Sequence, residues 1–199
     1  MTLQNGMTHG RKAYLWCDTA FWDDQTGELA YHAPKAFQGF GWPFAGTLST
    51  WGGDGYAMVE HIRLADPKGL DELLRIAADA MRWFVIEGGG GRMLLASFED
   101  RPRLHLIPSH EVFPGYAAFE PVELNYYVCS ANHTDAFKVA ARKGLNPKRM
   151  RRVIDAQCVT PFAGHGVLAG LGDRVWIGGN VVRLEVGAAG VTSAIERGA

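Results

Sequence analysis

The chain opens MTLQNGMTHGRKAYLWCDTAF, with Thr2 directly behind the methionine and Asp18 sixteen residues further on. A hydroxyl is a weak nucleophile near neutral pH and needs a base beside it. In a threonine with a free α-amine, the amine itself can be that base, because its ordinary pKa of roughly 7.7–8.0 lies near working pH. Other reactive types offer less. The seven histidines, His9, His32, His61, His105, His110, His133 and His165, show no HxxxH or HxH spacing. A local zinc motif is therefore absent, a metal site built from distant residues stays open, and no cofactor is expected. Cys17, Cys129 and Cys158 form no CxxC pair, which points to reduced, buried thiols and a cytoplasmic setting. Gly88 to Gly91 follow a helical pattern instead of joining a strand to a helix, so they read as a helix terminator and not a phosphate loop.

Composition narrows the classes further. A net charge of −1 gives no general pull toward nucleic acid or a membrane surface. The cluster Lys148, Arg149, Arg151 and Arg152 reads as the solvated face of a helix. No apolar run reaches the roughly 20 residues of a membrane helix, and the opening lacks the apolar core of a secretory signal. With 199 residues, a single domain over 1–199 is expected.

The elements that must position Thr2 and Asp18 follow from period and punctuation. TLQNGM and KAYLWCDTA read as strands around the turn THGRK, and AYHAPKAF and FAGTLST as two more around GFGWP. A short helix follows from Asp54 to Leu64. A long one spans 66–88, with Asp66 as its cap and Pro67 in its first turn. Leu70, Leu73, Leu74, Ala77, Met81 and Phe84 form its buried stripe. RMLLASFE and PRLHLIPS form a hairpin, followed by strands in HEVFPG and ELNYYVCSA. Two helices come next. One is capped by Thr134 or Asp135, the other by Asn146 with Pro147 at its first position. Two or three strands around Gly178-Gly179 close the chain. Helices in pairs between blocks of hairpin-linked strands suggest an α+β fold, a four-layer α-β-β-α sandwich of antiparallel sheets.

This order resembles the proteasome β-subunit and its bacterial proteasome-like relatives, which are N-terminal nucleophile (Ntn) hydrolases. The resemblance rests on the Thr2–Asp18 spacing with CDTA, on Lys35 in HAPKAF, on FAGTLSTWGGDGYAM with Asp54 at a helix start, on YYVCSANHTDA, and on GDRVWIGGNVVRLEV. It implies Thr2 as nucleophile, Lys35 as electrostatic activator, Asp18 as orienting carboxylate and Ser130 as a supporting hydroxyl. It also implies a backbone oxyanion donor at Thr50 and a supporting carboxylate at Asp173. The sequence departs from the family at several points, among them Lys35, which lies seventeen residues beyond Asp18 where the family lysine lies about sixteen. Thr50 stands where the family has glycine, Ile177 stands where it has a late serine, and Asp173 is one residue displaced. The implied function is a threonine hydrolase of peptide or small amide substrates, working in a homo-oligomer without nucleic-acid or membrane partners. The alternative is a non-catalytic structural or assembly subunit, favoured by the Thr50-Trp51 bend and by Ile177. Trp16, Trp22, Trp42 and Trp51 read as core filling or as the lining of an aromatic cleft.

Overall fold

A computed structural model describes residues 2–23, 25–111, 115–129, 134–163 and 170–197. The strands are β1 (Gln4–His9), β2 (Lys12–Asp18), β3 (Ala20–Trp22), β4 (Leu29–His32), β5 (Ala36–Gln38), β6 (Phe44–Trp51), β7 (Gly90–Phe98), β8 (Pro102–Pro108), β9 (Val122–Glu123), β10 (Tyr126–Cys129), β11 (Phe162–Ala163), β12 (Asp173–Arg174), β13 (Asn180–Gly187) and β14 (Gly190–Arg197). The helices are α1 (Gly55–Leu64), α2 (Leu70–Ile86), α3 (Asp135–Arg142) and α4 (Pro147–Gln157).

Among the described residues the strands form four sheets. A first five-stranded sheet runs β10-β1-β2-β13-β14, and a second runs β5-β6-β7-β8-β9. Two further sheets, β3-β4 and β11-β12, have two strands each. Each ladder among the described residues is antiparallel. Three apolar clusters hold the molecule together. One lies between the five-stranded sheets, with Ala13, Leu15 and Leu184 meeting Ala45, Leu94 and Leu104. Another joins Met58 and Ile62 of α1 and Leu73, Met81 and Phe84 of α2 to Phe44, Met93 and Ile107. The third joins Met150, Val153 and Ile154 of α4 to Leu3, Met7 and Trp16. Each such side chain removed from water contributes roughly 1.5–3 kcal/mol. Strand β2 is buried on both sides, which accounts for its unalternating KAYLWCD pattern.

The expected α+β class, a four-layer α-β-β-α sandwich of the Ntn hydrolase kind, is corrected by this arrangement. The chain is mostly antiparallel β, with 40% strand against 27% helix, and its strands divide into several sheets. Two physical features underlie the difference. AYHAPKAF is not one strand: Pro34 lies between β4 and β5, which belong to different sheets. The helical cover is also partial. Helix α3 buries only Ala140, and Ile195 on edge strand β14 is 74% exposed.

Local signals fared unevenly. Asp54, Thr134 and Asn146 cap α1, α3 and α4, each accepting backbone N–H bonds. Asp66 does not cap α2. Its φ is +46°, its carboxylate pairs with Lys68, and the helix begins after Gly69. The part of HEVFPG within the described residues forms no strand, and its residues 112–114 lie outside them. No described helix is long and apolar enough to cross a membrane.

Candidate active site

The hairpin β1–β2 explains the sixteen-residue spacing. Its register pairs Gln4 with Cys17, so one step outward Leu3 stands opposite Asp18. The Leu3 N–H donates to Asp18 Oδ1 at 3.0 Å, which places Thr2 beside the carboxylate's end of the hairpin. Behind Asp18 the chain passes through β3 and β4 and returns to bring Lys35 back. Lys35 Nζ donates to the same Oδ1 at 3.0 Å and also to the Ala20 carbonyl. From β13's approach, the Gly178 N–H donates to Asp18 Oδ2 at 3.3 Å. The Lys35 and Asp18 side chains are 4% and 0% exposed.

Two effects oppose each other at Asp18. Burial pushes its carboxyl above the ordinary carboxylate range, while Lys35 and the Gly178 and Leu3 N–H groups favour the ionised form. The neighbouring Cys17 thiol is pushed up to about 12, by burial first and then by the Asp18 charge. It is therefore a protonated core thiol and no nucleophile near neutral pH.

Thr2 and Lys35 line one cleft of about 390 Å³. Its opposite wall carries Thr50 and Trp51 from the end of β6 and Asp54, Tyr56 and Val59 from the start of α1. Gly52 and Gly53 make the bend between them with φ of +59° and +56°. A side chain there would be strained, and at Gly53 a Cβ would also meet the Phe84 ring at 2.5 Å. Trp51 lies against Gly90 and edge-on to His110, with ring centroids 5.3 Å apart.

The structure thus gathers Thr2, Asp18, Lys35 and Thr50 around one floor and wall. It does not bring Asp173 there. Asp173 is exposed on β12, paired across that strand with Ala163, and does not line the cleft. Its expected supporting role therefore finds no contact with the cleft among the described residues. Ser130 lies outside the described residues. Ile177 is buried in the cluster with Trp176 and Leu3. Of the tryptophans, Trp16 is core, Trp42 packs beside α1 and α2, and Trp22 and Trp51 line the cleft. Among the described residues no group of three or more His, Cys, Asp or Glu could hold a metal ion.

Sequence reasoning offered Trp22 and Trp51 for an aromatic cleft but missed Phe21, Tyr31 and Tyr56. Phe21 stacks on Tyr31 at 4.8 Å between centroids and on Tyr56 at 6.4 Å, and Lys35 Nζ sits 4.9 Å over the Phe21 ring. The signal available was the aromatic pair Phe21-Trp22 just past Asp18. Tyr31 and Tyr56 lie too far away in sequence to be joined to it without the fold.

No family model and no curated protein matches this chain.

Proposed function

We propose that the chain is a threonine hydrolase of peptide or amide bonds, with Thr2 as nucleophile once the bond preceding it is cut. The observation that carries this reading is the buried Lys35–Asp18 pair beneath a cleft that Thr2 lines. The chemistry is similar to that of the proteasome β-subunit; the support comes from these residues and not from the fold class.

The steps follow from the groups present. Thr2 Oγ1 attacks the substrate carbonyl carbon while its proton passes to the Thr2 α-amine. The buried Lys35 ammonium lowers the proton affinity of both Thr2 groups through its field, and Asp18 holds that ammonium in place. The C–N bond breaks, the amine leaves with the proton, and an ester to Thr2 remains. Water then adds to the ester carbonyl, the amine taking its proton, and the acid is released with the threonine restored. A backbone N–H at the Thr50 bend is the proposed donor to the oxyanion. Assembly into a homo-oligomer is part of the same proposal.

The test uses protein whose intact mass shows Thr2 at the N-terminus, offered a peptide panel and read by mass spectrometry. Thr2→Ala is expected to lower turnover by at least about a thousandfold, as loss of a covalent nucleophile does, with an unchanged circular dichroism spectrum. Equal turnover in both proteins would remove the reading.

A second reading, a non-catalytic assembly subunit, draws on Trp51 and Ile177. The first is a bulky ring on the cleft rim, and the second is a core residue where the resemblance calls for a hydroxyl. Zero turnover with Thr2 exposed favours it.

A further inference from the structure

The cleft's second wall has a composition that the hydrolysis chemistry does not use. Phe21, Tyr31 and Tyr56 form a continuous aromatic group, with Phe21 in the middle. Tyr31 is 52% exposed and Tyr56 is 54% exposed, yet both line the same hollow as Thr2. Large rings left half in water normally find cover, and here the open side of the rings is the cleft itself.

Charge points the same way. Among the described lining residues only Lys35 and Asp54 are ionisable acids or bases of the Asp, Glu, Lys, Arg and His types. Both are committed. Lys35 is held by Asp18 and the Ala20 carbonyl, and Asp54 Oδ1 accepts from the N–H groups of Tyr56 and Ala57 at 3.0 Å each. An acidic substrate side chain entering this space would lose water and find Lys35 already ion-paired with Asp18, which is costly. A flat apolar side chain would gain ring contacts on the aromatic group and cover Leu48 and Val59. The volume suits one such side chain with its flanking backbone, at the low end of the range for small-molecule sites.

We infer that this wall is a specificity site, selecting peptides and amides that present an aromatic side chain beside the bond held at Thr2. The inference rests on the hydrolase reading for its orientation, but binding at the wall does not require cleavage. Tyr31 and Tyr56 set the preference by ring contact, and Phe21 spaces them.

The test measures binding and cleavage separately. Acetylated pentapeptide amides identical except for one central residue (Phe, Ala or Glu) are titrated by calorimetry into the Thr2→Ala protein. They are also incubated with protein whose Thr2 amine is exposed. The Phe peptide is expected to bind at least tenfold more tightly than the Ala and Glu peptides. Tyr31→Ser and Tyr56→Ser are expected to reduce that ratio to below threefold. Thermal unfolding and near-ultraviolet circular dichroism establish that each variant is folded. Should either variant fail to fold, Tyr31→Leu and Tyr56→Leu take its place. Equal binding of the three peptides, or an undiminished ratio in folded variants, overturns the inference. Cleavage without preference for Phe overturns it while leaving the hydrolase reading intact. Selective binding without cleavage sustains it and removes the hydrolase reading.

Discussion

Asp18 with Lys35 and Asn5 with Gln157 are both buried polar pairs attached to the hairpin β1–β2, yet they are built differently. Asn5 Nδ2 donates to Gln157 Oε1 at 2.6 Å, and the Cys129 N–H donates to Asn5 Oδ1 at 3.1 Å. That pair is neutral and closed between α4, β1 and β10. Asp18–Lys35 is charged, and Lys35 lines an open cleft. A neutral pair of amides pins a helix to a sheet at small electrostatic cost. A buried ion pair does the same task less economically, because each ion must first leave water. The comparison teaches that the charged pair is poorly explained by architecture alone, and its position under Thr2 is what the proposed hydrolysis would use.

The largest expected effect comes from breaking the charged pair. Lys35→Met leaves the Asp18 carboxylate buried beside two backbone N–H donors and is expected to cost about 3–5 kcal/mol in urea unfolding. The double variant Lys35→Met/Asp18→Leu should recover a large part of that loss while remaining inactive. A single-variant cost below about 1 kcal/mol would mean that the pair is solvated and that the comparison fails.

Breaking the neutral pair is a smaller change. Gln157→Leu strands the Asn5 amide and is expected to cost about 1–3 kcal/mol, while peptide binding in the cleft stays as it was. A matching loss of binding would show that the two constellations are coupled through β1 and do not act separately.

The smallest effect is a pH slope. Cys17 stands opposite Gln4 in the ladder and next to Asp18, between the two constellations. Its thiol is raised from 9.0 to about 12 in the folded chain, first by burial. Between those values the unfolded chain has lost the proton and the folded chain keeps it, so stability is complete below pH 9 and falls as pH rises. The expected loss from this group is about 1 kcal/mol between pH 9 and 10. Cys17→Ala should be less stable at neutral pH but show a shallower alkaline limb. An unchanged limb would mean that the thiol is reached by water.

Local chemistry was the part of the fold best read from the residues themselves. The caps Asp54, Thr134 and Asn146 depend on neighbours two or three residues away, and so does the hairpin that joins β7 to β8. Asp66 misled because its side chain and the proline after it match a helix start, while the backbone turns to a positive φ and defers the helix to Leu70. The layer arrangement misled because pairing the helices in order assumed only two sheets, and Pro34 divides one expected strand between two of the four. In the site, the Thr2–Asp18 spacing follows from a hairpin that is local in sequence, whereas Lys35 entered through the resemblance and is brought to Asp18 by the return through β3 and β4. The Gly178 N–H on Asp18 is 160 residues distant, and Asn5–Gln157 spans 152. Contacts of that range leave no periodic mark. Gln4 and Asn5 are polar residues buried in β1, and their amides bridge to Thr47 and to Gln157. At Gly6, the next residue, a Cβ would meet the Leu94 and Leu104 side chains at 2.8 and 2.9 Å.

The hydrogen bond from the Leu3 N–H to Asp18 separates the chemistry of the chain's beginning from its anchorage. Leu3 is fully buried, so the clamp lies one residue inside the proposed nucleophile. What is attached ahead of Thr2 therefore decides whether its amine is available, and the clamp decides where the hydroxyl sits. An affinity tag fused at this end is expected to yield a folded, well-behaved and silent protein. The same tag placed after Ala199 leaves the amine's fate to the cell's own processing. For anyone preparing this protein, the choice of fusion terminus is also a choice of whether the proposed catalysis can be tested at all.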